Sequence, residues 1–127
     1  MLMQFLLVGL GGAVGSMTRY GLTLATRDLM PTFPYGTLLS NILGSLCIGI
    51  ITEFAGVRAS LSPDMRLLLA TGFCGGFTTL SSLLYEFNSY LRSHDLLIAF
   101  GYLSLSLIAP FLCLLLGCFA VRAIFKY

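Results

Sequence analysis

The feature that most constrains this chain is an apolar run long enough to cross a bilayer whose centre reads Thr71-Gly72-Phe73-Cys74-Gly75-Gly76-Phe77-Thr78-Thr79-Leu80-Ser81-Ser82-Leu83-Leu84-Tyr85-Glu86. A glycine pair followed by two threonines is poor helix-forming material. Hydrocarbon offers nothing to a freed backbone amide, so an interruption there needs surrounding protein or a water-filled cavity. A break of this kind frees carbonyls for cations and leaves helix ends whose amides face anions. The sequence predicts a span that lets go of its hydrogen-bond ladder at mid-membrane, with the rest of the chain packed around it.

Composition fixes the setting. Hydrophobic residues make up 57% and charged residues 9%, against about 25% charged in soluble domains. Four spans of about 20 residues with short loops use nearly all of residues 1–127, which predicts a single all-α, four-span transmembrane domain in the lipid bilayer. The N-terminus lacks a basic start and a small-residue cleavage site, so its apolar run reads as a retained span. A net charge of +2 with no clustered basic face argues against nucleic acid. Cys47, Cys74, Cys113 and Cys118 lie inside apolar runs without metal-type spacing and read as small buried hydrophobes.

Span one is expected over about 2–25. Its Gly11 and Gly15, with Gly12 and Ser16 beside them, form a small-residue face of the kind that brings helix backbones together in lipid. Arg19 lies one turn beyond Gly15. Either it snorkels to the headgroups or it faces protein or water as a fixed positive charge. Prolines at 31 and 34 punctuate the first loop, and span two follows over about 35–54. There Gly36, Ser40 and Gly44 make a close-packing stripe beside the polar stripe Thr37, Asn41, Ser45. Asn41 is either a staple between helices or a donor lining a pathway.

Ser62-Pro63-Asp64 reads as a helix start, with Ser62 as N-cap and Pro63 at the first helical position. Span three runs from there to about Tyr90, longer than one crossing needs. Ser93-His94-Asp95 is a tight loop with a solvated histidine. Span four, about 96–121, contains no Asp, Glu, Lys or Arg, and Pro110 is expected to kink it. On the side of the termini the basic residues are Arg58, Arg66, Arg122 and Lys126, against Arg27 and Arg92 on the other, with Arg19 added if it snorkels. That bias is too small to fix one orientation, and it predicts insertion both ways up and an antiparallel dimer.

The glycine-rich stretch lacks the G-K-[ST] of a phosphate cradle and the G-x-G-x-x-G of a nucleotide fold. No Ser or Cys has an accompanying His within the spans and no carboxylates pair, so the chain does not read as an enzyme. What remains at membrane depth is a set of uncharged groups: Asn41, Thr78, Thr79, Ser81, Ser82, Tyr102 and Ser106. Such donors suit a small anion, because they replace its water without trapping it as a buried lysine would. Glu86, about two turns past the break, is the one acid placed to gate or to take a proton.

At Gly75-Gly76-Phe77-Thr78-Thr79 followed by Ser81, with Asn41 in span two and Gly-x-x-x-Arg from Gly15 to Arg19, the chain resembles the CrcB/Fluc family of fluoride channels. The resemblance implies a dual-topology antiparallel homodimer with two pores for passive fluoride export across a microbial inner membrane. It implies that the Gly75 and Thr78 carbonyls of both copies hold a central structural sodium ion. Asn41 would donate to fluoride, Ser81 and Ser82 would add hydroxyls, and Tyr102 and Ser106 would line the pore. Thr37 and Thr79 join the functional set, Arg19 would sit in the vestibule, and Glu86 would be the acid found after the break. The family pattern reads Thr-Thr-Phe-Ser-x-Phe, its two rings meeting fluoride edge-on. This chain has Leu80 and Leu83 there, which match volume but present no quadrupole. The alternative is a proton-coupled exporter of the small multidrug-resistance type, which calls for a carboxylate in the first span.

Overall fold

The computed structural model describes residues 1–29, 31–58 and 61–125, and the side chains of all of these except Val57 and Arg58. Lys126 and the Arg58 side chain, both counted in the charge balance above, lie outside the described residues. Among the described residues every regular element is helical: α1 Leu2–Thr26, α2 Tyr35–Arg58, α3 Pro63–Arg66, a π-helical stretch Leu67–Cys74, α4 Gly75–Phe77, α5 Leu80–Arg92 and α6 Leu96–Phe125.

Three stretches, Tyr35–Gly56, Pro63–Arg92 and Leu96–Phe125, are long and apolar enough to cross a membrane. α1 has 25 residues, but Gln4, Arg19 and its glycines keep it outside that group. Apolar side chains such as Phe5, Leu97 and Phe119 cover the outside, the inverse of a soluble surface.

Two close-packed helix pairs set the architecture. α1 lies on the stretch 63–77, and α2 lies along α6. In the first pair backbones touch: a Cβ at Gly11 or Gly15 would run into the Leu68 or Phe73 carbonyl oxygen, and one at Gly76 would run into the Gly12 carbonyl. The expected small-residue face of α1 is thus met by a matching one, Gly72 and Gly76, on the facing helix. The wide winding of Leu67–Cys74 is a rare geometry, usually a single bulge, and nothing in the local sequence marks it. It sits where the two backbones approach, so tertiary contact rather than propensity selects it.

In the second pair Gly49 and Gly117 fill the same need, since a Cβ at Gly117 would stand 2.6 Å from the Leu46 carbonyl. Cys118 donates to the Gly49 carbonyl at 3.5 Å, and Arg122 forks onto Glu53 at 2.8 and 3.1 Å. The end of α2 is closed by Arg66, whose guanidinium donates to the Ala55 carbonyl at 3.0 Å.

Helix starts and loops follow local chemistry. Ser62 accepts from the Met65 amide at 3.2 Å with Pro63 behind it, as the sequence predicts. His94 is exposed with φ 61°, the left-handed turn between α5 and α6. Pro110 lies inside a continuous α6.

Candidate functional site

The third spanning stretch loses its helical ladder at two residues. α4 ends on Thr78, with φ −88° and ψ 156°, and α5 begins after Thr79, with φ −154° and ψ 124°. Extended backbone in a membrane needs partners from elsewhere, and three residues supply them. Asn41 on α2 accepts from the Thr79 amide at 2.7 Å and donates to the Thr79 carbonyl at 3.1 Å. Its carboxamide pairs with Thr79 as a neighbouring strand would. Arg19 donates to the Gly76 carbonyl at 3.1 Å, with Ser16 on the same oxygen at 3.4 Å. Thr79 itself caps α5 through the Ser82 amide at 3.2 Å.

Two consequences concern unpaired groups. The Thr79 amide, which would serve the Gly75 carbonyl in a continuous helix, is given to Asn41 instead. On the facing helix, Pro110 has no N–H to give the Ser106 carbonyl, and the buried Ser106 hydroxyl finds no partner among the described residues.

Between these elements lies a cavity of about 370 Å³. Its polar lining comes from Asn41, Ser45, Thr78, Thr79 and Ser106, its apolar lining includes Leu80, Leu83 and Pro110, and no charged residue among those described takes part. A second cavity of about 280 Å³ opens beside Arg27 and residues 31–34 and reaches Glu86, Tyr85, Ser89 and Tyr90. There the Glu86 carboxyl accepts from Thr37 Oγ1 at 2.6 Å and from Tyr102 Oη at 2.5 Å. One acid thus ties α2, α5 and α6 together.

Residues 6–118 match the family described as CrcB-like protein, Camphor Resistance (CrcB). The chain belongs to the CrcB family. A relative named fluoride-specific ion channel FluC in Chlorobium chlorochromatii (strain CaD3) is 46% identical over 119 residues, 94% of this chain and 92% of that protein. One of the same name in Francisella tularensis subsp. mediasiatica (strain FSC147) is 40% identical over 125 residues, 95% and 96% of the two chains. Another in Chlorobaculum tepidum is 46% identical over 112 residues, 88% and 89% of the two. This CrcB chain is accordingly an integral, multi-pass membrane protein.

The structure sorts the residues singled out from the CrcB sequence into three groups. Asn41, Thr78, Thr79, Leu80, Leu83 and Ser106 line one cavity. Thr37, Glu86 and Tyr102 form the hydrogen-bonded cluster beside the second. Arg19, with two readings open from sequence, turns inward onto Gly76. Ser81 and Ser82 are not in the lining: their hydroxyls lie 3.1 and 3.3 Å from Thr79 Oγ1. Asn41, also open between two readings, is a staple to Thr79, with one N–H of its amide beyond that pairing. Gly75 is exposed and Thr78 half-buried. Gly44, expected in the close-packing stripe of α2, has a bare Cα that lets the Thr78 methyl pack there. Sequence reasoning missed Phe33 and Tyr90, which nothing local signalled.

Proposed function

We infer that this chain is a passive, fluoride-specific channel of the cell inner membrane that lets fluoride leave the cytoplasm, and that it is not an enzyme. The observation that carries the reading is the cavity beside Thr78 and Thr79, whose described lining is uncharged and includes the buried Ser106. A small anion sheds its water only onto donors, and donors without formal charge release it again. The shared name of the relatives agrees in ion and class. The exporter reading lacks its carboxylate, since α1 holds no Asp or Glu.

In this reading α1 is a fourth crossing, 1–127 is one domain, and the third helix is broken at mid-membrane. Two copies lie head to tail, because one leaves the cavity open and Leu80 61% exposed. The Gly75 and Thr78 carbonyls would meet their mates there around a structural sodium ion. Support comes from Asn41, which takes the amide that would otherwise occupy Gly75. Labelling of single loop cysteines from both faces of sealed cells reads the orientation, and one-sided labelling sinks the dimer. Asn41 and Ser106 would serve fluoride, with Arg19 and the Thr37–Glu86–Tyr102 cluster toward the mouth.

Liposomes loaded with fluoride and followed with a fluoride electrode test the function. Fast fluoride efflux with no chloride efflux is expected; no fluoride signal, or equal chloride efflux, overturns the reading. The same assay separates the two leucines. Leu80→Phe has room and adds an electropositive ring edge at the cavity, so fluoride efflux should rise. Leu83 is 1% exposed in a core with Leu38 and Tyr102, so Leu83→Phe overpacks it at a cost of about 1–3 kcal/mol. Unchanged efflux through a well-folded Leu80→Phe protein would show that rings are dispensable here.

A further inference from the structure

The Glu86 cluster is held from outside by a segment that the channel reading leaves without a role. Tyr90, one turn beyond Glu86 on α5, donates its hydroxyl to the Thr32 carbonyl at 2.6 Å. This bond spans 58 residues and fixes the end of the loop before α2. The next residue, Phe33, sets its ring edge-on to Tyr102 with centroids 5.5 Å apart at 85°. Tyr90 meets the same ring with centroids 5.9 Å apart at 64°. Tyr102 is 2% exposed, and its hydroxyl is the one on Glu86. The strap continues inward through amide bonds from Tyr35 to the Phe33 carbonyl at 2.9 Å and from Leu38 to the Pro34 carbonyl at 3.2 Å.

We propose that Tyr90 is a positioning residue for the mouth of the pathway: by fastening Thr32 it seats Phe33 against Tyr102, and so fixes the Tyr102 hydroxyl on Glu86. The proposal rests on the channel reading for its effect on flux, while its mechanical part stands apart from any ion. Edge-to-face pairs are directional, so two such pairs on one ring restrict the orientations open to it. A neutral hydroxyl on a backbone carbonyl is a modest bond, yet here it closes a long loop over a buried phenol. The chain thereby sets one functional side chain from a loop that lies outside the cavity beside Thr78 and Thr79.

Tyr90→Phe tests it, since this change keeps the Tyr90 ring against Tyr102 and removes only the hydroxyl that bonds Thr32. Hydrogen exchange of the full-length protein in nanodiscs should show the Tyr35 and Leu38 amides exchanging at least tenfold faster than in the parent. Fluoride efflux should fall severalfold. In a Tyr102→Phe background, already without the phenol on Glu86, Tyr90→Phe should lower efflux no further, whereas a merely structural effect would add. Unchanged exchange overturns the strap, and additive losses overturn its action through Tyr102. If the parent protein conducts no fluoride, the channel reading falls, and the exchange measurement alone decides whether the strap exists.

Discussion

Asn41→Ala should lose nearly all fluoride efflux while the protein still reaches the membrane. The variant strips the partners from both the amide and the carbonyl of the extended Thr79. Each buried backbone group left unpaired costs about 1–3 kcal/mol. Together these come to about 2–6 kcal/mol, a drop of roughly 30-fold to 10⁴-fold in the population holding the extended arrangement. The liposome assay reads the flux and size-exclusion chromatography the fold. Efflux within threefold of the parent would mean that something other than Asn41 holds Thr79 in place.

Gly15→Val should yield no well-behaved protein at all. Its Cβ would run into the Phe73 carbonyl oxygen and stand 2.9 Å from the Phe77 nitrogen. Both are backbone atoms of the facing helix, so no side chain can swing away, and the helices must part along the whole seam. Overpacking of this kind costs about 1–3 kcal/mol or more, and separation also breaks the Arg19 and Ser16 bonds to Gly76. Gly9→Ala and Gly21→Ala are the controls, since a Cβ at either meets nothing within 4 Å, and both should melt with the parent. A normal melting curve for Gly15→Val would show that the seam is looser than described.

What was legible in the sequence was local or periodic. Ser62 and Pro63 start a helix by chemistry that needs no neighbour. The small residues of α1 and α2 declare a close-packing face by spacing alone, and the buried Cys74 follows from its apolar run. The partner of each face was not legible. Arg19 reaches an oxygen 57 positions away, Thr37 reaches Glu86 across 49, and Tyr90 reaches Thr32 across 58. Helical periodicity says which way a residue faces on its own helix and nothing about what stands opposite. The π winding of Leu67–Cys74 was hidden for the same reason, because it answers to α1 rather than to its own residues. Ser81 and Ser82 were drawn toward the cavity by composition, and the turn of α5 after Thr79 sends their hydroxyls to the cap instead.

Glycine against glycine along α1 and 63–77 leaves that seam without rotamers. Backbone stands against backbone there, and Ser16 and Arg19 pin the seam to the Gly76 carbonyl, so those two helices travel as one stiff plate. Breathing of the pathway then falls to the side where α5 and α6 meet through phenol rings and a carboxyl rather than through glycines.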